Sequence, residues 1–366
     1  MAKNPKWTDL FSADRGQANS HLLQLRVVQK RGCSFLVLPM DAQPAVEALS
    51  LYSAQTPAAR LFKAFLRFVM TCRIPLGFET AELRIATDAR FVQFLLKLGN
   101  RSTIPPLAIA CGNPRTEGQR FIILIFDPAG QPSVIVKAGL SEIARSLIAK
   151  EDQFLKNVPA KLGIPRVRES FESEQIRTLS LDYMRGQSPR FTDYTPMFSL
   201  VNSWLEEAQP MPLQEFALWR QLKLAVTSPH FSKLEPRIAE KKIYSTIYHG
   251  DFAPWNIKVN HDSWTALDWE RGELAGIPGW DCFHFLIQPA ILVTRTSTAS
   301  LVEEIETFLH RDDFRSYAKR AQIAGAEREL VLSYLLQQID VIKPSEGMVA
   351  TQNLFNALAC RWLAAA

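Results

Sequence analysis

One stretch constrains this chain more than any other: His249-Gly250-Asp251-Phe252-Ala253-Pro254-Trp255-Asn256, followed twelve residues later by Asp268-Trp269-Glu270. A carboxylate and a carboxamide stand five positions apart, and a second carboxylate lies beyond a run that reads as a hairpin. Residues 245–248 read as a short strand entering the loop. Residues 257–259 read as a strand, 260–263 as a turn and 264–267 as the returning strand. Such a hairpin brings Asp268 back beside Asn256, so that two oxygen ligands reach one hard divalent cation. Mg2+ takes oxygen donors and usually only one or two from protein, with the rest from phosphate and water. Asp251 then faces the other side, toward an acceptor hydroxyl.

Two carboxylates and an amide in this order suit phosphoryl transfer, in which positioning and metal electrostatics supply most of the catalysis. The set, with the downstream Gly276-Ile277-Pro278-Gly279-Trp280-Asp281, resembles the phosphotransferase family of aminoglycoside and choline kinases, small-molecule relatives of the protein kinases. Five fixed positions, each filled about one time in twenty, recur by chance in roughly one sequence in ten thousand of this length. The resemblance implies a two-lobed α+β fold. The N-lobe would be a small antiparallel sheet with one helix that binds ATP, and the C-lobe would be mostly helical. It also implies that Asn256 and Asp268 hold Mg2+ and that Asp251 orients the acceptor and takes its proton. His249 belongs to the catalytic set as a brace of the loop rather than as a free base, and Asp281 braces the same loop. Ala253, where many relatives carry a polar residue, and the bulky Trp255 depart from the pattern on the acceptor side.

Composition narrows the class further. An apolar fraction of 47% over 366 residues allows a sizeable core. A net charge of +5, with Lys and Arg scattered, gives no basic block and so no expectation of nucleic acid. The five cysteines are widely spaced and lack a CxxC pair, which reads as reduced thiols in a cytoplasmic protein. No apolar run approaches the roughly 18 residues of a membrane helix, and the N-terminus lacks a signal-peptide core, so no membrane partner is expected.

Three segments follow from the order of elements. Residues 1–102 form an α/β extension: a loosely held start to about residue 20, strands at 22–28 and 33–38, helices at 45–52 and 58–72, a strand at 81–85 and a helix at 89–98. Leu61, Phe65 and Phe68 share one face of the second helix. Residues 103–182 read as the nucleotide-binding N-lobe. Strands at 107–110 and 120–126 flank a turn-rich loop whose Gly112 and Gly118 offer backbone N–H groups for phosphate. Lys137 ends the next strand, where a kinase-like fold places the lysine that meets the α- and β-phosphates. On the helix from 141 to 156, Ile143, Leu147, Glu151 and Leu155 form one stripe. A lone glutamate on an apolar stripe needs a partner, and Lys137 is the natural one; Glu142 and Asp152 read as surface. Strands at 164–167 and 179–181 close the lobe. Asp182 and Met184 mark a hinge whose backbone would meet adenine, by position and by resemblance. Residues 183–366 form the C-lobe, with helices at 195–207, 214–226, 302–310, 314–321 and 327–342. The other five histidines, His284 among them, show no ligand spacing.

The resulting expectation is an ATP- and Mg2+-dependent transfer of the γ-phosphate to a hydroxyl of a small metabolite: a sugar, an amino alcohol or a choline-like compound. An aminoglycoside fits less well, because residues 187–240 show no acidic cluster for a polycation. The competing reading is a nucleotide-binding pseudokinase or scaffold that uses the first hundred residues for partners. The joint presence of Lys137, Glu151, Asp251, Asn256 and Asp268 favours catalysis. Nothing in the chain names the acceptor or the oligomeric state.

Overall fold

Apolar side chains at alternate positions build the largest element, an antiparallel sheet of eight strands. The strands are β1 (Ser20–Lys30), β2 (Cys33–Pro39), β3 (Glu79–Ala86), β4 (Leu107–Cys111), β5 (Arg120–Phe126), β6 (Pro132–Gly139), β7 (Val167–Glu172) and β8 (Arg177–Asp182). Their order is β3-β1-β2-β4-β5-β6-β8-β7. The computed structural model describes residues 5–12, 20–74, 78–114, 116–159, 163–343 and 349–365. Residues 1–4 and 13–19 of the start expected to be loosely held lie outside these residues, as does Arg115 of the 112–118 loop; the described part of that start is instead anchored, with Trp7, Leu10 and Phe11 buried.

Alternation sends Val134, Val136 and Ala138 of β6 into one core, with Leu25, Ile109 and Ile123. A short 3-10 helix (Trp7–Phe11) and the helix Arg90–Gly99 cover that face. Ala108, Leu124 and Phe126 point the opposite way, into a second core closed by α1 (Ala42–Ala48) and α2 (Pro57–Thr71). We label the helix Arg90–Gly99 α3 and the helix Glu142–Asn157, which packs on β6, β7 and β8, α4.

The sheet is larger than the small one expected for an N-lobe. β2 pairs with β4 through Leu36↔Ala110 and Val37↔Ile109, so three strands of the first hundred residues continue the sheet formed by β4 to β8. The chain accordingly divides into two compact units, residues 1–157 with 165–184, and residues 158–164 with 185–366. The division between Met184 and Arg185 lies inside the segment read as a hinge.

The second unit is mostly helical. Its described helices include α5 (Tyr194–Ser203), α6 (Ala217–Ala225), α7 (Pro229–Ile238), α8 (Trp280–Pro289), α9 (Thr298–Leu309), α10 (Asp312–Arg320), α11 (Glu327–Gln337) and a last one, Val349–Ala364. Strands β9 (Leu205–Pro212), β10 (Lys242–Tyr248) and β13 (Glu273–Gly276) form a three-stranded sheet with β10 in the centre, while β11 (Ile257–Asn260) and β12 (Ser263–Ala266) form the hairpin that the sequence predicts.

Two local expectations change. The helix expected over 195–207 stops at Ser203, and 205–212 is an edge strand. Pro210 and Pro212 lack the N–H that a central strand needs, and an edge tolerates them. Asp152, expected at the surface, is buried; it accepts hydrogen bonds from Ser170 Oγ and Lys156 Nζ, both at 2.8 Å, which replace its lost hydration.

Candidate active site

The loop between β10 and β11 is held by hydrogen bonds to groups outside it. Asp281, in the first turn of α8, accepts the His249 N–H at 2.7 Å and the Gly250 N–H at 3.1 Å through its two oxygens. Gly250 has φ +80°, and a Cβ there would lie 2.7 Å from the Cβ of Arg271, so a side chain is excluded by both conformation and space. Burial pushes the Asp281 carboxyl up to about 7; the two N–H groups pull the other way without cancelling it, and the charge of Asp251 adds to the rise.

His249 is fully committed to backbone. Its Nε2 lies 2.7 Å from the Leu267 carbonyl, which can only accept, so Nε2 carries the proton. Its Nδ1 accepts the Asp251 N–H at 3.2 Å. Burial lowers its pKa to about 4, which keeps the ring neutral with one donor and one acceptor. The ring packs against Trp269 at 4.5 Å between centroids. His249 is thus a brace between the loop and the segment carrying Asp268, with no ring nitrogen left to take a substrate proton.

The Asp251 carboxylate is anchored at both oxygens. Asn256 Nδ2 donates to Oδ2 at 2.8 Å, and also to the Asp251 carbonyl at 2.9 Å. His284 Nε2 lies 3.0 Å from Oδ1. Burial raises the Asp251 pKa, but the hydrogen bond from His284, with the charge of Arg271, outweighs it and leaves the group below its ordinary value. The carboxylate is therefore anionic, aimed and partly exposed, and each oxygen keeps a lone pair beyond its anchoring bond.

His284 is the residue that sequence reasoning missed. Tyr334 on α11 places its hydroxyl 3.0 Å from Nδ1, and burial lowers the His284 pKa, with Lys343 and Arg271 adding to the effect. A neutral imidazole facing a carboxylate at Nε2 donates there, so Nδ1 accepts from the tyrosine hydroxyl. The chain Tyr334–His284–Asp251 follows. A signal was present: His284 stands three residues after Asp281 on one helix, a spacing that puts both on the face toward the loop.

The hairpin delivers Asp268 next to Asn256. Ile257 pairs with Ala266, and the Leu267 N–H donates to the Asn256 carbonyl at 2.7 Å. Asp268 has φ +72°, a conformation uncommon outside glycine but enriched for aspartate and asparagine. Both donations of Asn256 Nδ2 go to Asp251, which turns its Oδ1 away from that residue. Among the described residues, no group of three or more His, Cys, Asp and Glu is placed to hold a metal.

In the first unit, Lys137 Nζ donates to both Glu151 oxygens, at 2.6 and 2.8 Å, with the two residues 6% and 0% exposed. The pair joins the end of β6 to the middle of α4. Asp182 forms an ion pair with Arg168 at the half-exposed end of β8, and the Tyr183 N–H donates to the Ser133 carbonyl at 3.0 Å; Met184 follows at the boundary of the unit.

Gly112 corrects an expectation. Its N–H donates to the Arg120 carbonyl at 2.9 Å, and a Cβ would lie 2.5 Å from that oxygen. The glycine allows the two strands to approach, and its amide is already used and cannot cradle phosphate. Gly118 instead lies over α4, where a Cβ would meet Leu147 at 3.0 Å.

No protein-family model matches the chain, and no curated protein matches it. Among solved structures, it is similar to a thermostable mutant of aminoglycoside phosphotransferase APH(4)-Ia in ternary complex with AMP-PNP and hygromycin B. The identity is 15% and the TM-score 0.49, covering 75% of this chain and 99% of that one. The ADP and hygromycin B complex of another such mutant gives 15% identity and a TM-score of 0.46, over 73% of this chain and 97% of that one. Monomeric WbdD gives 15% identity and a TM-score of 0.28, over 56% of this chain and 44% of that one.

Proposed function

We propose that the protein is an ATP- and Mg2+-dependent phosphotransferase that moves the γ-phosphate to a hydroxyl of a small metabolite. The observation that carries this reading is the anchored Asp251 carboxylate, held anionic and oriented by Asn256 and His284 in a loop pinned by Asp281. Bound MgATP supplies the phosphoryl group and the cation that neutralises charge on its oxygens.

The donor set fits that cation. Asn256 Oδ1 is turned from Asp251, and Asp268 follows a residue bonded to the Asn256 backbone. Two protein oxygens are the usual complement for Mg2+ beside phosphate. Lys137, set in place by Glu151, would meet the phosphates as a point charge. Gly118 and the backbone at Asp182 and Met184 complete the proposed nucleotide contacts.

Asp251 aligns the acceptor O–H with a free lone pair of its carboxylate. The hydroxyl oxygen would form the new bond to the γ-phosphorus as the bond from that phosphorus to the bridging oxygen breaks and ADP leaves, and the hydroxyl proton would move to Asp251. A carboxylate of lowered basicity suffices, because in a loose transition state the nucleophile's proton leaves late. His249, Asp281 and the His284–Tyr334 pair act through Asp251 by fixing where it points. The acceptor class rests on the resemblance and includes sugars, amino alcohols and choline-like compounds; aminoglycosides stay in the test set.

The test is an ADP-release screen with the full chain, MgATP and a panel of hydroxylated metabolites and aminoglycosides, followed by mass detection of the phosphorylated product. One acceptor that stimulates ADP release and gains a phosphoryl group supports the proposal. Nucleotide binding without any transfer across the panel moves the chain to the scaffold reading.

A further inference from the structure

Helix α2 presents two apolar faces, and only one is covered. Thr56 accepts the Ala59 N–H at 3.2 Å as N-cap, and Pro57 starts the helix. Leu66, Val69 and Met70 are buried against the unit, with Leu66 and Met70 in the core beneath the sheet. On the outward side, adjoining the buried stripe, Leu61, Phe65 and Phe68, spaced i, i+4 and i+7, form a row that is 73%, 49% and 58% exposed. Large exposed apolar groups aligned on one element mark an interaction surface rather than scatter.

Along the sequence that carries this row the charge has one sign. From Glu47 to Glu79 the chain carries no intervening Asp or Glu, while Arg60, Lys63, Arg67 and Arg73 fall in or just after α2. Arg60 and Arg67 are exposed and lie one row round from Leu61 and Phe68, on the same outward half of the helix. The helix is about 22 Å long. Aromatic and aliphatic residues beside arginines, with no acid among them, describe an element that lies in a lipid–water interface. Phenyl rings enter the acyl boundary there and guanidinium groups stay at the phosphates.

We propose that the outer face of α2 docks the protein on an anionic lipid surface, with Leu61, Phe65 and Phe68 inserted and Arg60 and Arg67 at the headgroups. The mode is peripheral: among the described residues no helix is long and apolar enough to cross a membrane. The sequence-based expectation was of no membrane partner, and this surface departs from it. Docking here is independent of the proposed phosphotransfer.

The test uses the full chain in flotation with phosphatidylcholine vesicles, with and without phosphatidylglycerol, across a salt series. The wild type is expected to bind the anionic vesicles, more weakly as salt rises. Phe65→Ser with Phe68→Ser keeps the net charge and should weaken binding at least about tenfold for each ring. Arg60→Gln with Arg67→Gln should weaken it roughly 25-fold, about fivefold for each arginine. All four side chains are exposed, so unchanged circular dichroism is expected. Equal binding to neutral and anionic vesicles overturns the proposal. So does a phenylalanine variant that binds like the wild type, since overall charge would then be the cause. A wild type that ignores vesicles but dimerises, with dimerisation lost in the same variant, assigns the face to a second copy and also overturns it.

Discussion

Replacing Asp281 tests the physical account of the loop between β10 and β11 without any substrate. Its carboxyl is the acceptor for two buried backbone donors, the N–H groups of His249 and Gly250. Asp281→Ala leaves both unpaired, at about 1–3 kcal/mol each, hence roughly 2–6 kcal/mol together. The wild-type group carries an opposing cost. Burial raises its pKa from 3.8 to about 7, so the folded state binds this proton more tightly than the unfolded chain does. The associated stability is fully present below about pH 4 and is lost as pH rises through about 7, on the order of 4 kcal/mol at most. The deficit of Asp281→Ala should therefore be largest at about pH 4, still substantial near pH 5, and should shrink by about pH 8. Asp281→Asn keeps one acceptor oxygen and no charge. It should be mildly destabilised near pH 5 and close to the wild type, or above it, by about pH 8. Urea unfolding followed by tryptophan fluorescence reads this out, because seven of the eight tryptophans, all but Trp7, lie in the second unit. An Asp281→Ala variant within about 0.5 kcal/mol of the wild type near pH 5 would refute the reasoning. A deficit that grows with pH would do the same, by showing that the N–H groups outweigh burial.

Two further outcomes follow from other buried contacts. With the acceptor found by screening, His284→Ala should lower kcat up to about 100-fold and leave KM for ATP unchanged. His284→Gln, which keeps an N–H donor for Asp251, should recover much of that loss; an equal loss in both variants would remove the orienting role. Lys137→Ala strands the buried Glu151 carboxylate and should cost the first unit about 3–5 kcal/mol, whereas Lys137→Met with Glu151→Leu should come closer to the wild type. Hydrogen exchange at the amides of β6 and α4 measures both, and equal protection in all three proteins would contradict a coupled pair.

Much of the site was legible because its spacing is local. The hairpin that returns Asp268 to Asn256 is written in a two-strand pattern with a polar turn, and the Lys137–Glu151 contact in a lone glutamate on an apolar stripe. Partners contributed across long sequence separations were not. Tyr334 meets His284 from a helix fifty positions away, and no local periodicity announces that contact. The role of Gly112 depended on how closely two strands approach, which composition does not encode. The join between the first hundred residues and the following sheet rests on two residue pairs between β2 and β4, and strand pairing partners are nonlocal in the same way. The face of α2 bearing Leu61, Phe65 and Phe68 was readable as a stripe; that it faces solvent depended on Leu66, Val69 and Met70 taking the core side.

The central claim is tested most directly by calorimetric titration of ATP into the full chain, with Mg2+ and without it, on the wild type and on Asp268→Ala. The account predicts binding that needs both the cation and Asp268. ATP binding of equal strength in all conditions would place the nucleotide away from the Asn256–Asp268 pair, and no binding in any of them would contradict the phosphotransferase itself.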